Sequence, residues 1–183
     1  MRGLVLRRGN IVESRCDAII NAANSRLERG GGVDGALHLA AGPALQAALR
    51  RNYPDGCPPG RAVVTDAFCI PVRFLIHAVG PVWRGGDRGE PDLLLGAYRH
   101  AFSLAEQLGC RSVASPSLST GAFGYPIALA APLALEEARA ALARRGKLRT
   151  VEFVLFDSEA LGVFSRAAQV VSCQGNHGPD RRV

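Results

Sequence analysis

Residues 18–42 have the sequence AIINAANSRLERGGGVDGALHLAAG, in which an apolar run precedes a glycine-rich loop and a helix-compatible segment. The apolar run, 18–22, predicts a short strand, and residues 33–41 predict a helix. Glycines 30 to 32 lie between them and let the backbone approach a ligand closely, with successive N–H groups directed at one point. Because a helix N-terminus lies directly behind this loop, the stretch predicts a site for an anion.

A second glycine-bearing loop has the same setting. Residues 119–125 read STGAFGY, after an apolar run at 111–115 and before a predicted helix at 126–145. Two loops of this kind in one chain suggest a ligand that carries a diphosphate.

Strands and helices alternate along the rest of the chain. Short β-branched or apolar runs predict strands at 3–8, 18–22, 61–67, 73–79, 111–115 and 150–156. Helical spacing and capping signals predict helices at 33–41, 43–52, 92–108, 126–145 and 158–170. The alternation predicts an α/β sandwich, in which helices cover both faces of a mixed, largely parallel sheet. Ligands of such sheets bind beyond the carboxyl ends of the strands, where both glycine loops fall.

Length and composition favour one globular unit. With 183 residues, of which 48% are hydrophobic, the chain can bury a sizeable core. We expect a single domain over residues 1–171, followed by a polar, flexible tail at 172–183. The chain begins without a secretion signal and has no apolar run of about 18 or more residues, so we expect a cytoplasmic protein that does not enter membranes.

The cysteines and histidines are scattered along the chain. The five cysteines include no CxxC pair and the four histidines form no cluster, so we expect no disulfide framework, no metal site and no cofactor. The formal net charge of +6 attracts phosphates in general, but the basic residues form no stripe interleaved with aromatic residues. Dedicated nucleic-acid binding is therefore a secondary hypothesis.

The first glycine loop is also compatible with two alternatives to a diphosphate site. Gly30, Gly32 and Gly35 match the GxGxxG pattern of dinucleotide-binding units, but about eight residues separate them from the strand that the pattern should follow at once. A surface turn without a ligand also accounts for the glycines, and it explains the neighbouring Asn and Asp residues only as turn and cap residues.

Several motifs in a fixed order carry a resemblance to a known family. They are Gly9–Ile11, Asp17–Asn24, Gly30–Gly42, Cys57–Gly60, Ile76–Gly86, Ser119–Pro126 and Val154–Asp157. In these motifs the chain resembles the macrodomain family, and more narrowly its bacterial branch of mono-ADP-ribosyl hydrolases and O-acetyl-ADP-ribose deacetylases. The resemblance implies a three-layer α/β/α sandwich with a mixed, largely parallel sheet, and it implies ADP-ribose as the ligand.

The resemblance also implies the residues that bind ADP-ribose. At the adenine end, Asn10 replaces an Asp of the family and can still accept a hydrogen bond, Ile11 makes a backbone contact, and Phe156 packs on the ring. The alternative for Phe156 is a core position at a strand end. The diphosphate contacts comprise Gly31, Gly32, Val33, Ser119, Thr120, Gly121, Ala122, Phe123 and Gly124. Phe123, where many relatives carry Tyr, closes off the distal ribose.

Asn24 and Asp34 match the ribose-positioning Asn and the catalytic Asp of the family. An amide can donate to and accept from ribose hydroxyls, which orients the sugar. Asp34 has two alternative roles: a general base toward the attacking water, or a group that holds the distal ribose so that a phosphate-bound water reaches the ester. The structural alternative for Asp34 is helix capping, with His38 paired to it at i+4.

The implied reaction is hydrolysis of an ester at the distal ribose. The substrates would be O-acetyl-ADP-ribose or proteins mono-ADP-ribosylated on Asp or Glu, and ADP-ribosylated nucleic acid ends would share the same core contacts. A monomer is expected. The alternative is a module that binds ADP-ribose without cleaving it.

Arg29 and His77 each support a further prediction. Arg29 replaces the first of four glycines usual in the family's loop, which adds a charge near the phosphates and suggests slower hydrolysis. His77 follows a run of apolar strand residues, and we expect it to be a satisfied core histidine rather than a catalytic group.

Overall fold

The computed structural model describes the backbone of residues 3–174 and the side chains of residues 3–170. The strands in this range are β1 Gly3–Arg8, β2 Ala18–Ala23, β3 Arg61–Asp66, β4 Phe74–Val79, β5 Ser112–Ser115 and β6 Thr150–Leu155. The helices are α1 Gly32–Ala41, α2 Pro43–Asn52, α3 Glu90–Gln107, α4 Ile127–Ala143 and α5 Ser158–Gln174. Every predicted strand and helix is present, with bounds shifted by a few residues.

Two local features differ from the prediction. A single 3-10 turn, Ile11–Glu13, follows β1, because the side chain of Asn10 caps it by accepting a hydrogen bond from Val12 N. The last helix, α5, continues to Gln174 rather than ending at 170, so it includes the first residues of the predicted tail. The rest of that predicted tail, 175–183, lies outside the described residues.

The strands form one sheet with the order β1-β6-β5-β2-β4-β3. All neighbouring strands are parallel except β3 and β4, which are antiparallel. The predicted mixed, largely parallel sheet is therefore confirmed.

Alternate residues of the central strands face two different layers of helices, as the twofold repeat of a strand requires. In β2, Ile19 packs in the core shared with α1 and α2, while Ile20 packs in the core shared with α3, α4 and α5. Leu75 and Ile76 of β4 divide in the same way, and all four side chains are fully buried. The molecule is thus a three-layer α/β/α sandwich.

The parallel pairing decides where a ligand site can form. β1, β6, β5, β2 and β4 run in the same direction, so their carboxyl ends lie along one edge of the sheet. Because β2 pairs with both β5 and β4, the segments that follow these three strands meet at the middle of that edge. Within residues 3–174, no helix combines the length and the apolar content needed to cross a membrane.

Candidate active site

A cavity of about 290 Å³ opens at the middle of the carboxyl edge. Its walls are the end of β2 with the loop that follows, the loop after β5, and the residue after β4. The lining residues are Ala22, Ala23, Asn24, Gly30, Gly31, Gly32, Val33, Asp34, Gly80, Ser117, Leu118, Ser119, Gly121, Ala122 and Phe123. Nine of the fourteen residues predicted for the site are among them.

The first glycine loop leads directly into α1. Gly31 is the N-cap residue, and Gly32 has a φ of +57°, a conformation that side chains other than glycine rarely adopt. Gly35 lies so close to the loop that an added Cβ would be 2.7 Å from the Gly30 carbonyl oxygen. The N–H groups of the first helical turn have no partner within a helix and point toward the cavity end of α1, which makes this end suited to an anion.

Asp34 is the carboxylate of the cavity and is held by two donors. It is only 5% exposed. Its Oδ2 accepts a hydrogen bond from Gly30 N at 2.5 Å, and its Oδ1 accepts one from Asn21 Nδ2 at 2.6 Å. The position of Asp34 in the first turn of α1 is the one that the structural alternative, helix capping, requires. The contact with Asn21 and the deep burial exceed what capping requires, because they bring a residue of β2 to the same carboxylate.

His38 is the i+4 neighbour of Asp34, as the sequence predicted. Its Nε2 lies 3.6 Å from Asp34 Oδ1, which is beyond hydrogen-bond range, and both side chains are buried. Burial lowers the pKa of His38, the charge of Asp34 opposes that effect, and the charge of Arg29 adds to it. A neutral His38 therefore stands beside Asp34 at neutral pH, and Arg29, the unusual residue of this loop, contributes to that state.

Asn24 organises the turn that leaves β2. Its Oδ1 accepts hydrogen bonds from Arg26 N at 3.1 Å and Glu28 N at 3.3 Å, while its Nδ2 donates to Glu28 O at 2.5 Å. The side chain is half-buried and lines the cavity. Asn24 therefore shapes the loop and faces the ligand space at the same time.

The second glycine loop is folded by its own backbone. Ser119 has a φ of +65°, Tyr125 N donates to Ser119 O at 3.0 Å, and Gly124 N donates to Gly121 O at 2.9 Å. Within the described part of the chain, the N–H groups from Ser119 to Phe123 have no protein acceptor. A row of free backbone donors at the mouth of a cavity is the arrangement that binds phosphate oxygens.

Two neighbours, Tyr98 and Trp83, hold this second loop in place. The buried hydroxyl of Tyr98 accepts a hydrogen bond from Leu118 N at 2.8 Å, just before the loop. Trp83 N donates to Phe123 O at 2.8 Å, and the Trp83 ring packs on Tyr125 with centroids 4.5 Å apart. The loop is therefore attached at both ends to the α3 side of the molecule.

Five predicted residues do not line the cavity. Asn10, Ile11 and Phe156 follow β1 and β6, at the outer part of the same edge. Thr120 and Gly124 have structural positions in the second loop, since Thr120 Oγ1 donates to Ser117 O at 3.2 Å and Gly124 takes a φ of +70° in the turn. Phe156 is 86% exposed, which excludes the alternative of a core phenylalanine.

Six lining residues were not named as ligand contacts from the sequence, although Gly30 was part of the predicted anion loop. They are Ala22, Ala23, Gly30, Gly80, Ser117 and Leu118. Gly80 had a usable signal, because it follows β4 at its carboxyl end; a Cβ there would lie 2.1 Å from Ser119 Oγ. Among the side chains of residues 3–170, no group of three or more His, Cys, Asp and Glu has a metal-site arrangement.

The fold and the site together define a class: α/β/α sandwiches that receive a ligand between glycine loops at the carboxyl edge of the sheet. Comparison with known proteins narrows this class to a family. The Macro domain family model matches residues 20–134, and the chain belongs to that family.

Individual relatives are similar over most of their length. An O-acetyl-ADP-ribose deacetylase of Klebsiella pneumoniae is 47% identical over 160 residues, which are 86% of this chain and 91% of the relative. A mutant macrodomain of Oceanobacillus iheyensis with ADPR has a TM-score of 0.86 at 35% identity. The match covers 92% of this chain and 93% of the Oceanobacillus chain. The Trypanosoma brucei macrodomain in complex with ADP-ribose has a TM-score of 0.81 at 38% identity, and the match covers 90% of this chain and 68% of the Trypanosoma chain.

Proposed function

We propose that this chain binds ADP-ribose along the carboxyl edge of its sheet and hydrolyses an ester on the distal ribose. The observation that carries the proposal is the buried Asp34, which faces a cavity opposite a row of free backbone N–H groups. The deacetylase name of the Klebsiella relative and the ADP-ribose complex of the Trypanosoma macrodomain support the same ligand and the same chemistry.

The diphosphate would lie between the two loops. The N–H groups of Gly32 and Val33 at the start of α1 would meet one phosphate, and those from Ser119 to Phe123 would surround the other. Ser119 Oγ is buried and has no partner among the described side chains, so it is a further donor for a phosphate oxygen. Backbone donors suit this role because they bind a charged oxygen without a side chain that must be ordered first.

The adenosine would extend from there toward β6 and β1. The exposed ring of Phe156 offers a stacking surface for the adenine, and Ile11 N begins the short turn after β1. Asn10 Oδ1 already accepts a hydrogen bond from Val12 N, so its free amide hydrogens are the groups best placed for the base. This favours ring nitrogens as acceptors over the adenine amino group as donor, in contrast to an Asp at this position.

The distal ribose would lie against Asn24, Asp34 and Phe123. Asp34 would accept a hydrogen bond from a ribose hydroxyl and so orient the sugar ester toward the water that attacks it. Both of its oxygens already receive a hydrogen bond, which fixes the direction of the side chain and favours this orienting role. Water adds to the ester carbonyl carbon, the bond to the ribose oxygen breaks, and a carboxylic acid and ADP-ribose are released.

The substrate class follows from the acyl group, which is the part of the substrate that the proposed contacts do not fix. Only the acyl group differs between O-acetyl-ADP-ribose and an ADP-ribosylated Asp or Glu side chain, and both would place the same ester at Asp34. We therefore propose both as substrates. An ADP-ribosylated nucleic acid end would share the ADP-ribose contacts, but it has no ester carbonyl for the water to attack, so we propose it as a partner for binding only. An alternative function, binding without cleavage, uses the same phosphate contacts but has no need of Asp34 and Asn24 beside the ribose.

Two measurements on the wild type and on Asn24→Ala test the proposal. Calorimetry measures the affinity for ADP-ribose, and product release is measured from O-acetyl-ADP-ribose and from a protein carrying Asp- or Glu-linked ADP-ribose. We expect binding and turnover by the wild type, and slower turnover with Asn24→Ala because the ribose loses a partner. Binding without turnover would instead support the non-catalytic alternative, and absence of binding would contradict the ligand.

A further inference from the structure

Three polar side chains of the sheet face α1, opposite its buried Asp34 and His38. They are Asn21 on β2, His77 on β4 and Thr65 on β3, and all are buried. The sheet register brings them together: Asn21 is directly opposite His77 in the parallel pair, and Thr65 is diagonal to His77 in the antiparallel pair. Their neighbours on the same face, such as Ile19 and Leu75, are apolar.

The direction of each hydrogen bond in this group follows from Asp34. A carboxylate only accepts, so Asn21 Nδ2 donates to Asp34 Oδ1 at 2.6 Å. The same nitrogen is 3.2 Å from His77 Nδ1, which must therefore accept the second amide hydrogen. A neutral ring that accepts at Nδ1 carries its proton on Nε2, and this nitrogen donates to Thr65 Oγ1 at 2.9 Å.

The ring stays neutral over the physiological range. Burial lowers the pKa of His77 to about 3, and His38 on α1 adds to the effect once it is itself protonated at lower pH. A protonated ring would donate at both nitrogens, so the Asn21 NH₂ group would lose its acceptor and the amide would turn. Turning the amide would withdraw the donor from Asp34 and present an oxygen to a carboxylate.

We propose that His77, braced by Thr65, is a positioning residue that acts through Asn21 to fix the direction of the Asp34 carboxylate during hydrolysis. The inference rests on the proposed function, since it concerns how Asp34 is held for that reaction. Without the brace, the Asn21 amide keeps Asp34 as its one acceptor among the described side chains, and the plane of the amide is then no longer fixed from the side of β4.

A purely structural role explains the arrangement less well. Within the described side chains, Asn21 Oδ1 is buried and has no hydrogen-bond partner. An unsatisfied buried acceptor destabilises the fold, so this orientation of the amide is set by the two acceptors of its nitrogen rather than by satisfaction of its own oxygen. Both hydrogens of the Asn21 amide nitrogen have acceptors, Asp34 and His77. This nitrogen is the atom that contacts the carboxylate.

The first readout needs no variant. In ¹⁵N spectra of the wild type, His77 should show an unprotonated Nδ1 and a protonated Nε2 at every pH from 5 to 8. The opposite tautomer, or a ring that takes up a proton in this range, would overturn the inference, because the Asn21 amide would then have no acceptor at Nδ1.

The second readout separates positioning from packing by kinetics on O-acetyl-ADP-ribose. His77→Leu removes the acceptor, Thr65→Val removes the brace with little change of shape, and Leu75→Val is the control on the same face of β4. We expect His77→Leu to lower kcat by about 10- to 100-fold, the usual range for a residue that orients a functional group from behind. Thr65→Val should lower kcat several-fold and Leu75→Val should not change it. KM and the Kd for ADP-ribose should stay within about twofold in all three.

His77→Gln provides the rescue, because its amide oxygen can accept from Asn21, and it should retain more activity than His77→Leu. Wild-type kcat in His77→Leu, or equal losses in kcat and in ADP-ribose affinity, would overturn the inference while leaving the proposed function intact. A wild type that binds ADP-ribose but hydrolyses no ester would overturn both together. If His77→Leu does not fold, Thr65→Val and the wild-type tautomer decide the question.

Discussion

The two glycine loops of the site are held in opposite ways. Side chains hold the first loop: Asp34 binds Gly30 N, Asn21 binds Asp34, and the amide of Asn24 closes the turn after β2. Backbone turns, the hydroxyls of Tyr98 and Thr120 and the contacts of Trp83 hold the second, whose N–H groups from Ser119 to Phe123 stay free of protein acceptors within the described residues. Under the proposed function, the first loop carries the directional chemistry, while the second offers a row of backbone donors to the diphosphate.

The largest effect is expected when the first loop is displaced. In Gly35→Ala the new Cβ would lie 2.7 Å from the Gly30 carbonyl oxygen, so the loop must move relative to Asp34. We expect kcat/KM for O-acetyl-ADP-ribose to fall by about 100-fold, the scale for a displacement of about 1 Å in an active site. The helix propensity gained from alanine, about 1 kcal/mol, raises stability but does not restore the geometry.

Gly121→Ala is the matched change in the second loop. Its Cβ would meet open space, and its φ is not positive, so the loop can keep its shape. We expect kcat within about threefold of the wild type because the loop is not strained, whereas the added methyl group at the cavity wall raises KM. Equal losses of kcat in both variants would contradict the assignment of directional chemistry to the first loop alone.

A pH titration of stability tests the brace behind the first loop. The pKa of His77 is about 3 in the folded chain and about 6.5 in the unfolded chain. Between these two values the unfolded state binds a proton on His77 and the folded state does not. The free energy of unfolding should therefore be unaffected above pH 6.5 and fall as the pH drops toward 3, by about 2 kcal/mol at pH 5 relative to pH 7. Chemical denaturation at a series of pH values measures it.

The control for this titration is His77→Gln, which keeps His38. Since burial also lowers the pKa of His38, that residue adds a loss in the same direction, and only the difference between the two proteins reports on His77. The variant should lose less stability between pH 7 and 5. Parallel curves would mean that His77 is protonated in the folded chain, contrary to its accepting role.

The smallest effect is expected at the adenine end. Phe156 is 86% exposed, so Phe156→Ala should leave the melting temperature nearly unchanged. Loss of a stacking surface should weaken ADP-ribose binding by about tenfold, the lower part of the range for base–aromatic stacking. Leu39→Ala, at a position 72% exposed on α1, should change neither quantity, and calorimetry compares the two variants. Unchanged affinity in Phe156→Ala would remove this residue from the proposed site.

Local patterns were sufficient to predict the order of elements and the central part of the cavity. The apolar run before Asn21, the glycines before Asp34 and the loop at Ser119 each have a local signal for a strand end, a helix start or a turn. Their convergence also followed from the sequence, because parallel strands end at one edge. The predicted ligand roles of these residues stay predictions, since only their positions are described.

The remaining details depend on pairing between distant strands. His77 was predicted as a satisfied core histidine, and the structure confirms that both its nitrogens have partners. Its link to Asp34 through Asn21 depends on the register of β2 and β4, which no local pattern specifies. The influence of Arg29 on the pKa of His38 is likewise a spatial relation.

The central claim is that Asp34 serves hydrolysis rather than helix capping or ligand affinity. The most direct test measures both the turnover of O-acetyl-ADP-ribose and the Kd for ADP-ribose in the wild type and in Asp34→Ala. We predict turnover lower by a factor of about 10², the scale for loss of substrate orientation, with a Kd that stays within about tenfold, or 1.4 kcal/mol. Wild-type turnover in Asp34→Ala, or a loss of affinity as large as the loss of turnover, would contradict the account.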